Sequence, residues 1–369
     1  MNRLIVIFFY IFSILHTLFG EKDFLLFLRL AQFSGLIAFL MVMNQKGGNL
    51  FKSKSIIRLT GYKIPFLAIA GTIIIGLLNL RLNITPIIYP ISFISVSLLT
   101  ILSKPKLNIF IFLSFLVFLL FFYYALTGVD ISLWVKGSSN YVSVLVLYIS
   151  FVPLLIHKIN KGGVNLILNI IFPMLALSFS IIAIGRSGII VSTIFFLGNL
   201  TLYVRNHKHK FMILSIFIIF FAFSFSKLYS FIDFITNDYL FKLINKGATS
   251  EVRKDIVDYY FSKINFRTLL FSIDNLDLDK QMGVTLHNSY LSWHYKYGFF
   301  SFVIFYMTIL TFFKSLKTDK VLSIILIVIL IRSFTDLILL TEGILFGFPF
   351  ILALLLVDYK NLPILKLKK

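Results

Sequence analysis

The chain contains no cysteine, so disulfides and thiolate metal sites are excluded, and cysteine usage says nothing about its redox compartment. Acidic residues are scarce too: 15 Asp and Glu stand against 35 Lys and Arg, and charged residues make up only 14% of the 369. A water-soluble globule of this length would lack the polar residues needed to cover its surface. Pro/Gly/Ser-rich linkers and internal repeats are also missing, so the sequence reads as one domain over residues 1–369.

What fills the chain instead is apolar: 59% hydrophobic residues, 44 Phe and a mean hydropathy of +0.96. The apolar residues arrive in uninterrupted runs of about 17 to 25, which is the length a helix needs to cross a bilayer. A β-barrel would show alternating segments of about ten residues. Runs such as 213–225 and 321–331 do not alternate. The first run, 4–19, has the length of a signal peptide, but Phe19-Gly20-Glu21 is a poor cleavage site and another span follows at once, so it reads as the first helix. The net charge of +20 would suit nucleic acid only if the basic residues shared one soluble face, whereas they sit in the gaps between apolar runs.

The spacing predicts an all-α polytopic membrane protein of about 12 transmembrane helices. The spans fall near 4–19, 24–43, 64–80, 87–102, 107–126, 140–156, 164–183, 187–203, 211–227, 288–313, 321–340 and 343–357. Alternate gaps carry very different charge. One side holds 20 Lys and Arg, from Arg3 through Lys158 and Lys314 to Lys369, and the opposite short gaps hold only 4, namely Lys22, Arg81, Lys136 and Arg186. The positive-inside rule assigns the first set, and both termini, to the cytoplasm. A wrong span count would scramble this alternation, so number and direction support each other.

The long connection 228–286 then lies on the extracytoplasmic side. Within it, residues 250–264 read as a short amphipathic helix: Ser250 is a plausible cap, an acidic first turn follows, and Val252, Ile256, Tyr259, Tyr260 and Lys263 recur at helical spacing. Such a helix lies against the membrane surface or the bundle.

Three outer features could carry chemistry. Gly185-Arg186-Ser187-Gly188 opens a helix, where a guanidinium and free backbone N–H groups suit a phosphate; an arginine snorkelling from a helix end fits equally well. Arg253 lies on the loop helix, where spacing alone describes a solvated, salt-bridging arginine. Leu286-His287-Asn288-Ser289-Tyr290-Leu291 marks re-entry into the membrane and puts His287, Tyr290 and His294 on one helix face. A capping or interfacial histidine is the bland alternative.

In this order, the "GRSGII" helix start, the long loop with "SEVRKDIVDYY" and the "TLHNSYLSWHYKYGFFSFVIF" re-entry resemble the O-antigen polymerase and ligase superfamily of bacterial polysaccharide assembly. The resemblance covers roughly 171–313; the first half matches only as generic membrane helices. It implies a helical bundle of the membrane glycosyltransferase type in the bacterial inner membrane. It also implies a polyprenyl-diphosphate-linked oligosaccharide as donor, no cofactor, and a chain-length regulator protein and membrane lipid as partners.

On that resemblance Arg186, Arg253 and His287 are the catalytic residues. Departure of a lipid diphosphate leaves negative charge that two arginines stabilise without a metal. His287 would accept the proton from the attacking hydroxyl, giving inversion when base and leaving group lie on opposite faces. Asn288, Tyr290, Arg81, Arg332 and Asp336 are the candidate substrate-binding residues. Arg332 and Asp336 lie four apart inside an apolar span, so pairing is expected, as a structural ion pair or as a group steering the diphosphate.

The run Asp274, Asp277, Asp279 resembles the metal motif of nucleotide-sugar transferases, but its extracytoplasmic placement favours a solvated loop. Gly343 and Gly347 form a G-x-x-x-G that reads as helix packing. The aromatic continuation "SWHYKYG" leans toward a polymerase joining repeat units. A ligase that transfers the glycan to lipid A core is the alternative, and a flippase or exporter of lipid-linked oligosaccharide is the second.

Overall fold

A computed structural model describes residues 2–20, 29–30, 33–37, 40, 60–78, 85–129, 133–135, 139–183, 186–206, 251–272, 288–335 and 344–358. Every regular element among them is helical. In chain order these are α1 (Asn2–Phe19), α2 (Thr60–Leu78), α3 (Thr85–Ser103), α4 (Leu107–Thr127), α5 (Ser139–Ile159), a π-helical turn (Ile167–Ile171) leading into α6 (Phe172–Ile182), and α7 (Arg186–Asn206). There follow α8 (Glu251–Ser262), α9 (Phe266–Phe271), α10 (Ser289–Tyr297), α11 (Phe300–Thr318), α12 (Lys320–Ser333) and α13 (Ile344–Val357).

Five of these (α1, α4, α5, α7 and α11) are long and apolar enough to cross a membrane, and the apolar stretches of α2, α3, α6 and α13 are shorter. The predicted spans 24–43, for the most part, and 211–227, entirely, lie outside the described residues. Four prolines, Pro65, Pro90, Pro153 and Pro349, sit inside α2, α3, α5 and α13. Helices in lipid tolerate this because neighbouring groups re-satisfy the freed backbone. Several buried hydroxyls turn back onto their own helix, as Ser13 does to the Phe9 carbonyl, Thr100 to Val96 and Ser150 to Val146, and so are satisfied within it.

The centre of the bundle is α5, from which Val142 through Ile156 is almost wholly enclosed. It packs against α6, α13 and α4. Aromatic contacts fill this core: Phe151 meets Phe195 and Phe346, Phe118 meets Phe172 and Phe179, and Phe121 meets Phe179 and Trp134. In α13, a Cβ added at Gly347 would land on the ring of Phe93 in α3, which agrees with the helix-packing expectation for that glycine. The outer helices α4 and α11 behave differently. Phe112, Phe115, Leu119 and Phe122 of α4, and Phe302, Tyr306, Leu310 and Phe313 of α11, expose apolar side chains outward, a surface that suits lipid.

Polar links gather several helix ends together. Arg3 donates from Nε to the Ser103 carbonyl at 2.8 Å, and Asn160 to that of Pro105 at 3.1 Å. Lys158 pairs with Asp319 at 2.8 Å, and Lys314 with Asp358. The start of α1, the end of α3, the start of α4, the end of α5, the end of α11, the start of α12 and the end of α13 therefore lie at one end of the bundle. We call it the basic end. Among the described residues, the directions of the helices these links reach agree with the charged gaps.

The predicted span 288–313 is not one helix. It divides at Gly298, whose φ of 51° is the left-handed region that favours glycine, into the short α10 and the long α11. The break is set by a tertiary contact: the Phe299 N–H donates to the Leu270 carbonyl of α9 at 2.9 Å, while Gly298 N–H closes α10 onto His294. The apolar span thus starts at Phe300 and runs on to Thr318.

Candidate functional site

The end opposite the basic end is built from the start of α5, the start of α7, the end of α12 and the whole of α10. Arg332 ties three of these together. Its side chain is fully buried near the end of α12; Nη1 donates to the Ser187 hydroxyl in the first turn of α7, and Nη2 to the Asn140 carbonyl at the start of α5, at 3.2 Å. A guanidinium suits this task because its fork presents donors in fixed directions. Two helix N-termini, each with orphan N–H groups, therefore meet the same cation, which concentrates positive potential there.

Arg186 is the first residue of α7, adjacent to the serine that Arg332 grips. The following Gly188 is required by packing: a Cβ there would land on Cβ and Oγ of Ser143 in α5. Part of the GRSG motif thus sets the close approach of α7 to α5. Deeper in the bundle, the Asn169 amide donates to Oδ1 of Asn199 at 3.1 Å, joining the π-helical turn to α7.

The second half of the site rests on α10. Asn288 caps it, its side-chain oxygen accepting from the N–H groups of Tyr290 and Leu291 at 2.9 and 3.2 Å. The Tyr290 hydroxyl donates to the Leu330 carbonyl of α12 at 2.8 Å, and its ring packs on Phe334, Phe305 and Trp293. Tyr290 therefore joins α10 to the helix that carries Arg332.

His294, one turn further along, is only 5% exposed. Its Nε2 lies 2.9 Å from the Leu269 carbonyl, which can only accept, so Nε2 carries the proton; Nδ1 then accepts from the Tyr260 hydroxyl at 2.7 Å. Burial lowers the imidazole pKa and raises that of the Tyr260 phenol, so both groups stay neutral with the proton placement the bonds require. Together with Ser272 Oγ donating to the Tyr295 carbonyl at 2.5 Å, these bonds stitch α8 and α9 to α10. Tyr260 is among the residues read at helical spacing in 250–264, and α8 runs over Glu251–Ser262 within that stretch. Arg253 falls in its first turn.

His287, Arg81 and Asp336 lie outside the described residues, as do loop residues 228–250 and 273–286 and the aspartate run. The pairing expected for Arg332 with Asp336 is thus not described, whereas Arg332 contacts with Ser187 and Asn140 are. Sequence reading missed those contacts and the Tyr260–His294 bond. Only the placement of Ser187 in the GRSG motif and of His294 on the face shared with Tyr290 pointed toward them. Among the described residues no group of three or more His, Asp or Glu is placed to hold a metal.

Compared with known proteins, the chain matches no family model, no curated protein and no solved structure. Fold and composition define its class: an all-helical protein with several helices of membrane-crossing length and apolarity.

Proposed function

We propose that the chain is a polymerase of bacterial surface polysaccharide, O-antigen or a relative, which joins polyprenyl-diphosphate-linked repeat units by metal-independent, inverting glycosyl transfer. The basic end faces the cytoplasm on the 20-to-4 charge asymmetry, with both termini there, and the opposite end opens at the outer face of the inner membrane. The observation that carries the reading is the convergence of sequence-distant segments at that end. Arg332 joins the helix start bearing Arg186 to α12, Tyr290 joins α12 to α10, and Tyr260 and His294 join α10 to the helix bearing Arg253.

In this reading Arg186 and Arg253 receive the charge that develops on the departing diphosphate, and His287, next to the Asn288 cap, takes the proton of the acceptor hydroxyl. Arg332 supplies fixed positive potential at the start of α7, the helix that opens with Arg186, and Arg81 and Asp336 are assigned to substrate binding in the same reading. The ligase reading uses the same chemistry with a lipid A core acceptor. A gel of surface lipopolysaccharide from a deletion strain separates them: core bearing a single repeat unit marks a lost polymerase, and bare core marks a lost ligase. Substitution of His287 or Arg186 should leave repeat units in the outer leaflet but unpolymerised; retention on the cytoplasmic side would instead make the chain a flippase or exporter.

A further inference from the structure

The helix α9 is unusual for what it fails to bury. Four of its six residues, Phe266, Leu269, Leu270 and Phe271, are apolar, yet none is buried, and Phe266 is 80% exposed. Its position is nonetheless tightly specified. Asn265 and Thr268 close a reciprocal capping box, at 2.7 and 3.0 Å, and the Leu269 and Leu270 carbonyls accept from His294 and Phe299. A helix held this firmly while leaving four apolar side chains unburied would be costly in water.

Three observations say what covers that face. The first is continuity: exposed Leu269 accepts through its carbonyl from the His294 ring, which also packs on the exposed Phe302 of α11, 5.5 Å away between centroids. Exposed Phe299 is bonded to Leu270. The apolar face of α9 therefore runs into the outward apolar face of α11 where that candidate span begins. The second is charge: exposed Lys263 and Arg267 flank Phe266, the arrangement expected of residues at headgroup level. The third is aromatic enrichment, with Phe261, Phe266 and Phe271 exposed together beside Tyr259.

We infer that α9 is an interfacial anchor: Phe266, Leu269 and Phe271 enter the bilayer leaflet at the end opposite the basic end, with Lys263 and Arg267 against the lipid phosphates. The occupant of this face is lipid, not a protein partner. Burial to about 5–10 Å below the phosphates suits one helical turn. The anchor would set the height of α8, and of Arg253 on it, above the membrane. The inference requires only that the bundle crosses a bilayer, and it stands apart from glycosyl transfer.

The lack of native cysteine makes the test direct. Phe266→Cys and, as a second position, Phe271→Cys are nitroxide-labelled in the full chain in nanodiscs of mixed zwitterionic and anionic phospholipid, with collision measured against oxygen and a water-soluble nickel chelate. Leu119→Cys on the exposed face of α4 is the lipid reference, and Asp258→Cys on α8 the aqueous one. The expected oxygen-to-nickel ratio at 266 and 271 is at least about threefold that at 258, approaching that at 119. A ratio like that at 258, or protection from both reagents as under another segment of the chain, overturns the inference. An aqueous signature at 119 as well would remove the membrane and the inference with it.

Discussion

The two ends of the bundle are tied together by different chemistry. At the basic end, charge meets charge: Lys158 pairs with Asp319, both part-exposed, and Lys314 reaches the buried Asp358. At the opposite end the links are buried, and their described partners are neutral: Arg332 on a hydroxyl and a carbonyl, His294 on a phenol and a carbonyl, Tyr290 on a carbonyl. A part-exposed ion pair such as Lys158–Asp319 contributes little and tolerates change. Buried polar groups are costly to place and costly to disrupt, so they fix geometry closely. One end is a fastening, and the other holds side chains in register as a site requires.

Substitutions should widen or erase this contrast. The largest stability effect is expected at Arg332. Arg332→Met removes the guanidinium donors that link the Ser187 hydroxyl to the Asn140 carbonyl, which also accepts from Ser143, and should cost about 2–4 kcal/mol in thermal unfolding in detergent, with Arg332→Lys recovering part of it. A loss as small as that at the basic end would erase the distinction. Next comes Gly188→Val, expected to cost about 1–3 kcal/mol through overlap with Ser143. An unchanged melting temperature would show that α7 and α5 do not approach as described.

A smaller effect is expected at Tyr260→Phe, which removes one hydrogen bond worth about 1 kcal/mol and should raise amide exchange across α8 and α9 while sparing α5. The same latch predicts a pH dependence. Burial holds the His294 pKa below its ordinary value of 6.5, so the neutral form is favoured in the folded state. Its contribution is complete above about 6.5 and declines as pH falls from there toward the depressed folded value. Exchange in α8 and α9 should therefore rise on acidification through that window in the native chain, and less so in His294→Gln. Lys158→Ala is the smallest change, expected within about 1 kcal/mol and reduced further by salt.

Much of the helical arrangement was legible in sequence because uninterrupted apolar runs and alternating charge are local signals. Ten of the predicted spans overlap described helices, one of them divided, and five of those helices are long and apolar enough to cross a membrane. The division at Gly298 was not legible, since it depends on Phe299 bonding to a carbonyl from a segment about thirty residues earlier; a lone glycine within an apolar run gave no such warning. An arginine inside an apolar span needs partners, and helical spacing offers Asp336 for Arg332. Ser187 and Asn140, far away in the chain, became visible only with the fold. Tyr260 and His294 were each placed on the correct helix face, and their hydrogen bond could not follow from either face alone. Gly188 was read as part of a phosphate-binding turn, and its packing on Ser143 adds a reason that sequence does not carry.

The central claim is that the end opposite the basic end performs glycosyl transfer between lipid-linked repeat units. The most direct measurement is incubation of the purified chain with a purified polyprenyl-diphosphate-linked repeat unit, with and without chelator, followed by sizing of the glycan. Lengthened glycan in both conditions, reduced about a hundredfold or more in Arg186→Ala, is the predicted result. No lengthening by the folded chain, or lengthening that needs a divalent metal or survives Arg186→Ala undiminished, would contradict it.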